Sequence, residues 1–284
     1  MKVSILLISY NHENYIADAV ESILMQKNSF DTEIIFLDDC STDNTFGSGS
    51  DKLSNIKNVT LIKNESNLGI TKNYQKGFSL CSGEYVFVLE GDDYWIDTLK
   101  VQRQVEFLEE HPFHSMCFHP FIMQEGNSRI YKPYTLANNI LNNSVYNTTY
   151  SINDLIAHEA LIGTFSVCCY RKKWLNQLPD ELFNVVAYDW AVNLFMGHFG
   201  LLGRLNETMG TYRLADNAQW SSKTNEERST QIRSLISIYD ELLDYQYTSL
   251  FANKLRMIDG DSQVNGQGFR LKNLYHRITR LLKV

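Results

Sequence analysis

Residues 89–95 read Leu-Glu-Gly-Asp-Asp-Tyr-Trp, LEGDDYW. They follow the apolar run Tyr85-Val86-Phe87-Val88, which continues into Leu89 and has the length and composition of a buried strand. Three carboxylates, Glu90, Asp92 and Asp93, therefore crowd the point where that strand ends. Like charges so close repel, and a cation or a proton relieves them. Hard oxygen ligands at a strand end suit Mg²⁺ or Mn²⁺, and such an ion can in turn hold a diphosphate. Taken alone, the cluster also reads as a solvated acidic turn.

Upstream of it, strand and helix signals alternate. Val3 to Ser9 is an apolar strand, and Ile16, Val20, Ile23 and Lys27 fall at helical spacing. Glu33 to Leu37 is a second strand with Asp38-Asp39 at its end, and Val59 to Ile62 is a third. Thr71 is a candidate cap for a helix whose face is Tyr74, Phe78 and Cys81, closed by Gly83. Such alternation implies an α/β fold, a mostly parallel sheet with helices on both faces. Ligands of these sheets sit outside the carboxyl ends of the strands. Asp38-Asp39 and Glu90 to Asp93 share that address, so they read as one site.

Composition narrows the function. The chain has 284 residues, 44% hydrophobic and 21% charged, enough to bury a full core. A net charge of −7 argues against general nucleic-acid binding. The five cysteines, Cys40, Cys81, Cys117, Cys168 and Cys169, form no metal-ligand spacing and suit a reducing, cytoplasmic setting. Met1-Lys2 leads straight into VSILLIS, which makes a poor signal peptide. No apolar run reaches the roughly 20 residues that span a bilayer, so membrane contact is expected to be peripheral.

The second half is less regular. Val101, Val105 and Leu108 form one face of a helix that stops before Pro112. Ser128 to Asn153 is polar and rich in Asn, Tyr and Thr, and reads as a long surface excursion. Phe165 to Tyr170 is a further strand, and a helical pattern begins at Glu226. Asp259 to Gly268 reads as a linker. Phe269 to Val284 carries an apolar stripe with five Lys or Arg beside it. That segment reads either as a helix packed on the catalytic domain or on a second copy of the chain, or as a peripheral contact with anionic lipid.

Four further constellations carry chemistry. In FLDDCSTDNT, Phe36 to Thr45, Asp38 and Asp39 can accept hydrogen bonds from a base or ribose, whereas Ser41 to Asp43 read as helix-capping residues. In NLGITKN, Asn67 to Asn73, Gly69 permits an unusual turn before a helix N-terminus that suits phosphate, and Lys72 either adds charge there or is simply solvated. In YDW, Tyr188 to Trp190, Asp189 is a candidate general base beside aromatic rings, and equally a helix cap. In MGTYR, Met209 to Arg213, the arginine is a candidate partner for phosphate, with Trp220 close behind.

Order and spacing together resemble a family 2 glycosyltransferase of the GT-A fold. The matching pieces are SILLISYNHENYI (Ser4 to Ile16), FLDDCSTDNT, NLGITKN, the long stretch SGEYVFVLEGDDYWIDTLKVQRQVEFLEEHP (Ser82 to Pro112), YDW and MGTYR. The resemblance implies a GT-A catalytic domain over 1–222, with a nucleotide-binding half to about residue 112 and an acceptor-binding half beyond it, and a C-terminal helical extension over 223–284. It implies a nucleotide pocket of Ser9, Tyr10, Asn11, Asp38, Asp39, Lys72 and Gly91. It implies Mn²⁺ or Mg²⁺ held by Asp92 with Glu90, and donor-sugar or acceptor contacts from Asp93, Trp95, Tyr188, Trp190, Arg213 and Trp220. Asp189 matches the catalytic base.

Two positions depart from the family pattern. Glu90 stands where the first acid of its DxD motif is usually Asp, and Ala215 stands where a histidine often follows the Tyr-Arg. Arg213 is then expected to carry more of the phosphate charge. The function implied is metal-dependent, inverting transfer of a sugar from a nucleotide-diphospho-sugar, a UDP-sugar above all, to a hydroxyl of a glycan or lipid-linked acceptor. Two alternatives stand beside it: a non-catalytic nucleotide-sugar-binding member of the same fold, and a metal-dependent hydrolase.

Overall fold

The computed structural model describes residues 2–125, 131–133, 148–185, 189–214 and 224–260. The first hundred residues alternate strand and helix as expected. Strands β1 (Val3–Ser9), β2 (Thr32–Asp38), β3 (Val59–Lys63) and β4 (Tyr85–Glu90) alternate with helices α1 (Ile16–Leu24), α2 (Thr45–Leu53) and α3 (Ile70–Leu80). Beyond them lie β5 (Tyr94–Trp95), α4 (Lys100–Glu110), β6 (His114–Phe118), β7 (Phe121–Glu125), β8 (Tyr131–Pro133) and β9 (Thr148–Tyr150). Next come α5 (Ile152–Ala157), β10 (Cys169–Arg171), α6 (Lys172–Leu175), α7 (Asp189–Phe199), β11 (Leu201–Arg204) and β12 (Gly210–Leu214). Helices α8 (Asn225–Leu242) and α9 (Thr248–Ile258) follow. Tyr188, Ala215, Trp220, the stretch 134–147 and the basic segment from Phe269 lie outside the described residues.

The large sheet runs β3-β2-β1-β4-β10-β6-β11-β9. The first four strands are mutually parallel. β10 is antiparallel to both β4 and β6, and β11 is parallel to β6. The carboxyl ends of β1, β2, β4, β6 and β11 therefore share one edge. A second sheet, β5-β12-β7-β8, lies at that edge.

Strands β1 and β4 are buried on both faces, which is why they read as continuous apolar runs. Side chains alternate with period two. Val3, Ile5 and Leu7 pack with Ile16, Val20 and Ile23 of α1 and Val101 and Val105 of α4. Leu6 and Ile8 face the other layer, with Tyr74 and Phe78 of α3 and the cores of α7, α8 and α9. Fully burying one such aliphatic side chain contributes about 1.5–3 kcal/mol.

Two local expectations change. Thr71 does not precede α3; the helix begins at Ile70, and Gly69, at φ 78 and ψ 158, turns the chain into it. Phe165 to Tyr170 is not one strand. Phe165–Val167 forms a 3₁₀ turn, capped by Thr164, whose side chain accepts from the Ser166 N–H, and β10 starts only at Cys169. The apolar spacing suited a strand, but the Thr and Ser hydroxyls compete for the backbone and bend it.

Candidate active site

Chain entry to the site is set by the ends of β1 and β2. The Asp39 N–H donates to the Ser9 carbonyl, and the Ser9 hydroxyl to Asp38 Oδ1 at 2.8 Å. Asp38 also accepts from the Ser41 N–H and hydroxyl. Asn11 takes a left-handed backbone, φ 56, and its side-chain oxygen accepts from the Thr42 N–H. Asp43, one position before the N-cap Asn44, accepts from the N–H and hydroxyl of Thr45, the first residue of α2; the Asn44 side chain itself makes no cap bond. Tyr10, at the same edge, keeps 41% of its surface exposed.

Asp39 is buried, and its carboxylate shapes a loop. Oδ1 accepts from the Asn64 side chain and the Leu68 N–H, and Oδ2 from the Gly69 N–H at 2.9 Å. Asp39 thus hangs the Asn67-Leu68-Gly69 turn from the end of β2. Lys72, one turn into α3, donates to Gln75 and Asn184 and stays at the surface.

The acidic turn follows β4. Gly91 passes close over β1: its N–H donates to the Ile8 carbonyl at 2.8 Å, and a Cβ there would lie 2.9 Å from His12 Nδ1 and 3.0 Å from Ser9 Cβ. Only glycine allows that approach. The Asp93 N–H donates to the Glu90 carbonyl, which closes the turn.

The three acids then divide. Glu90 Oε1 accepts from the Tyr74 hydroxyl at 2.8 Å and Oε2 from Thr164 at 3.1 Å. Burial first, then the charge of Asp92, pushes the Glu90 carboxyl up to about 7. Asp93 is fully buried and accepts from the Arg213 N–H at 2.9 Å; burial and the neighbouring Asp92 and Glu90 charges hold its carboxyl well above the usual range. The side chain of Asp92 stays partly open, with His12 Nε2 at 3.9 Å from Oδ2.

Asp189, the first residue of α7, joins this group. Burial lifts its carboxyl to about 6, against the lowering effect of hydrogen bonds from the Trp190 and Asp189 N–H groups. Its charge is felt by the Tyr74 and Tyr212 hydroxyls, which burial and the surrounding acids push above the usual phenol range. Four carboxylates separated by up to 99 positions therefore converge around two tyrosines.

The aromatic and cationic candidates sit differently from expectation. Trp95 is buried in the core, its indole N–H donating to the Ser166 carbonyl and its ring against Phe87 and the Lys100 ammonium. Trp190 is likewise packed, donating to the Leu155 carbonyl and meeting Tyr239 edge-on. Arg213 is 2% exposed, and its guanidinium is taken up by Asp18, the Asp92 carbonyl and two tyrosine rings.

Sequence reasoning missed Thr164 and Ser166, which bond the end of β4, and Asp18 and His12. Tyr74 was visible only as a core position at helical spacing, because its ring is indeed buried while its hydroxyl reaches the acids. Among the described residues, no three His, Cys, Asp or Glu side chains converge into a ready-made metal shell. The donor chemistry nonetheless fits a hard divalent cation, which needs only one or two carboxylates when substrate phosphates complete its shell. Asp92 is the open carboxylate, and the crowded charge around it would be relieved by such an ion.

Comparison with known proteins agrees with this geometry. Residues 4–178 match the model of "Glycosyl transferase family 2". The chain belongs to that family and is a glycosyltransferase. An uncharacterized protein of Mycobacterium tuberculosis is 30% identical over 251 residues, 85% of this chain and 68% of its own length. The putative teichuronic acid biosynthesis glycosyltransferase TuaG of Bacillus subtilis is 28% identical over 235 residues, 80% of this chain and 85% of its own. Among solved structures, Staphylococcus aureus TarS 1–349 in complex with UDP-GlcNAc superposes with a TM-score of 0.64 at 19% identity, covering 90% of this chain and 73% of that one. The fold is GT-A.

Proposed function

We propose that the protein transfers a sugar from a UDP-sugar to a hydroxyl of a glycan acceptor, with inversion, and that Asp189 is the general base. The observation that carries this is the convergence of Asp189 with the Glu90–Asp93 turn at the edge where the Asp39-hung loop ends. Tyr10, exposed at the end of β1, offers a face for the base, and the N-terminal end of α3, which follows the Asn67–Gly69 turn, offers the positive end of its dipole to the diphosphate. Asp92 is the residue that would hold Mn²⁺ or Mg²⁺, with Glu90 behind it rather than on the ion. Such an ion supplies neutralisation of the charge that develops on the leaving diphosphate.

Asp189, lifted toward neutral pH by burial, is matched to taking a proton from an acceptor hydroxyl. A single base on one side of the donor suits one in-line displacement, hence inversion. A glycan acceptor is in keeping with TuaG, which is named for teichuronic acid biosynthesis, and a UDP-sugar donor with the TarS complex, which holds UDP-GlcNAc. No described helix is long and apolar enough to cross a membrane. The sequence Phe269 to Val284, with its apolar stripe and five Lys or Arg, is suited to meeting a lipid-linked acceptor or a second copy.

The test is a panel of nucleotide sugars in Mn²⁺, read by thermal shift and by release of UDP in the presence of glycan acceptors. A UDP-sugar at about 100 times its dissociation constant should stabilise the fold by about 2.7 kcal/mol. Asp92→Asn should remove the Mn²⁺ dependence of UDP binding. Full-rate transfer in EDTA, or stabilisation by no nucleotide sugar, overturns the reading.

A further inference from the structure

Arg213 lies on β12 of the second sheet, yet it holds three consecutive residues of the acidic turn. Its N–H donates to Asp93 Oδ1 at 2.9 Å, its Nη1 to the Asp92 carbonyl at 3.1 Å, and its guanidinium lies 5.0 Å from the centre of the Tyr94 ring. From the other side come two residues of the α1 region. Nη2 donates to Asp18 Oδ2 at 2.8 Å, and the Tyr15 ring centre is 4.8 Å away. The remaining nitrogen, Nε, is buried and has no hydrogen-bond partner among the described residues. Both Nη groups of this guanidinium are thus engaged within the protein, between two tyrosine rings.

We propose that Asp18 and Arg213 form a latch that positions Asp92 for the divalent cation, and that Arg213 is a positioning residue and not a phosphate ligand. The inference rests on the reading of Asp92 as the metal-holding carboxylate. Fixing the Asp92 carbonyl fixes its Cα and so the direction of its side chain, which projects toward His12. A guanidinium suits this task because its planar fork bonds a carbonyl and a carboxylate at once while its faces stack on rings. Asp18 completes the latch from α1, so the first sheet's helix layer and the second sheet both close on the turn. Groups that orient a metal ligand from behind matter nearly as much as the ligand itself, and their loss typically weakens metal affinity about 10–100-fold.

Calorimetry of UDP binding in Mn²⁺ and in EDTA separates the roles. The latch predicts that Asp18→Ala and Arg213→Lys each weaken UDP binding in Mn²⁺ about 10-fold, with UDP affinity in EDTA unchanged. If Arg213 met the diphosphate, Asp18→Ala would free the guanidinium and strengthen UDP binding in both buffers, and Arg213→Lys would weaken it in both. That pattern overturns the latch, as does unchanged affinity in Mn²⁺ for Asp18→Ala. Asp18 keeps 54% of its side chain exposed, so its removal leaves a foldable protein even where Arg213→Lys does not. Wild-type UDP affinity indifferent to Mn²⁺ would instead refute the metal reading beneath the proposal.

Discussion

The Tyr74 hydroxyl donates to Glu90 Oε1 at 2.8 Å, so a helix on the buried side of the sheet holds the first acid of the LEGDDYW turn. Thr164 takes the other oxygen. Glu90 therefore ties α3 and the 3₁₀ turn to the end of β4, and its extra methylene over aspartate is what spans that gap. Tyr74→Phe keeps the ring and removes the donor. It should cost about 1–3 kcal/mol, the usual penalty for leaving a buried polar group short of a partner. The midpoint of urea unfolding measures this, and an unshifted midpoint contradicts the role.

Glu90 also makes stability depend on pH. Its carboxyl, ordinarily near 4.5, is pushed to about 7 by burial and then by Asp92. The folded state thus holds this proton more tightly than the unfolded chain does. The contribution favours folding below pH 4.5 and is lost as pH rises toward 7. Glu90→Gln removes it. In EDTA, the variant should gain stability relative to wild type across that window, by on the order of 1–3 kcal/mol. A pH-independent difference between the two proteins would dispose of the argument.

Asp189 makes a kinetic prediction. A base must be ionised to accept a proton, so kcat should climb through pH 6 and level off above it, following the carboxyl at about 6. Asp189→Asn should lower kcat by about 10²–10⁴-fold and leave UDP affinity nearly unchanged. Near-normal transfer by the variant moves the base to another carboxylate.

Asp39 is asked to do two things. Its carboxylate holds the Leu68 and Gly69 N–H groups, and through them the turn at the start of α3. Asp39→Ala should lower stability by about 1–3 kcal/mol and weaken UDP binding by a similar amount, because the loop that would meet the diphosphate loses its anchor. Loss of affinity with no loss of stability would mean that Asp39 touches the nucleotide and does not shape the loop.

Much of this was legible in the residues. β1 and β4 stood out because strands buried on both faces are continuous apolar runs, and the acids at the ends of β2 and β4 share an edge by topology alone. The Asp189 position came from a motif and not from any periodicity. What escaped were contacts made by residues whose local pattern described something else. Tyr74 counts as core by spacing, and only the third dimension shows its hydroxyl reaching Glu90. The family resemblance implied site contacts for Trp95 and Trp190, but neighbouring residues on a strand or helix point to different sides, and both rings went to the interior. Asp18 and Arg213 are 195 positions apart, and nothing local announces their pairing.

The antiparallel strand β10 stands between β4 and β6 and supplies the seam of the large sheet. All four strands on one side of it come from Val3–Glu90, so that half can assemble as soon as it leaves the ribosome. Until residues 169–171 are made, β4 has no neighbour on its outer edge, and its apolar run lies open to the wrong partner. The order of synthesis thus leaves a window of about 80 residues, on the order of 4–16 s at usual elongation speeds, in which the growing chain depends on chaperones to keep that edge unpaired.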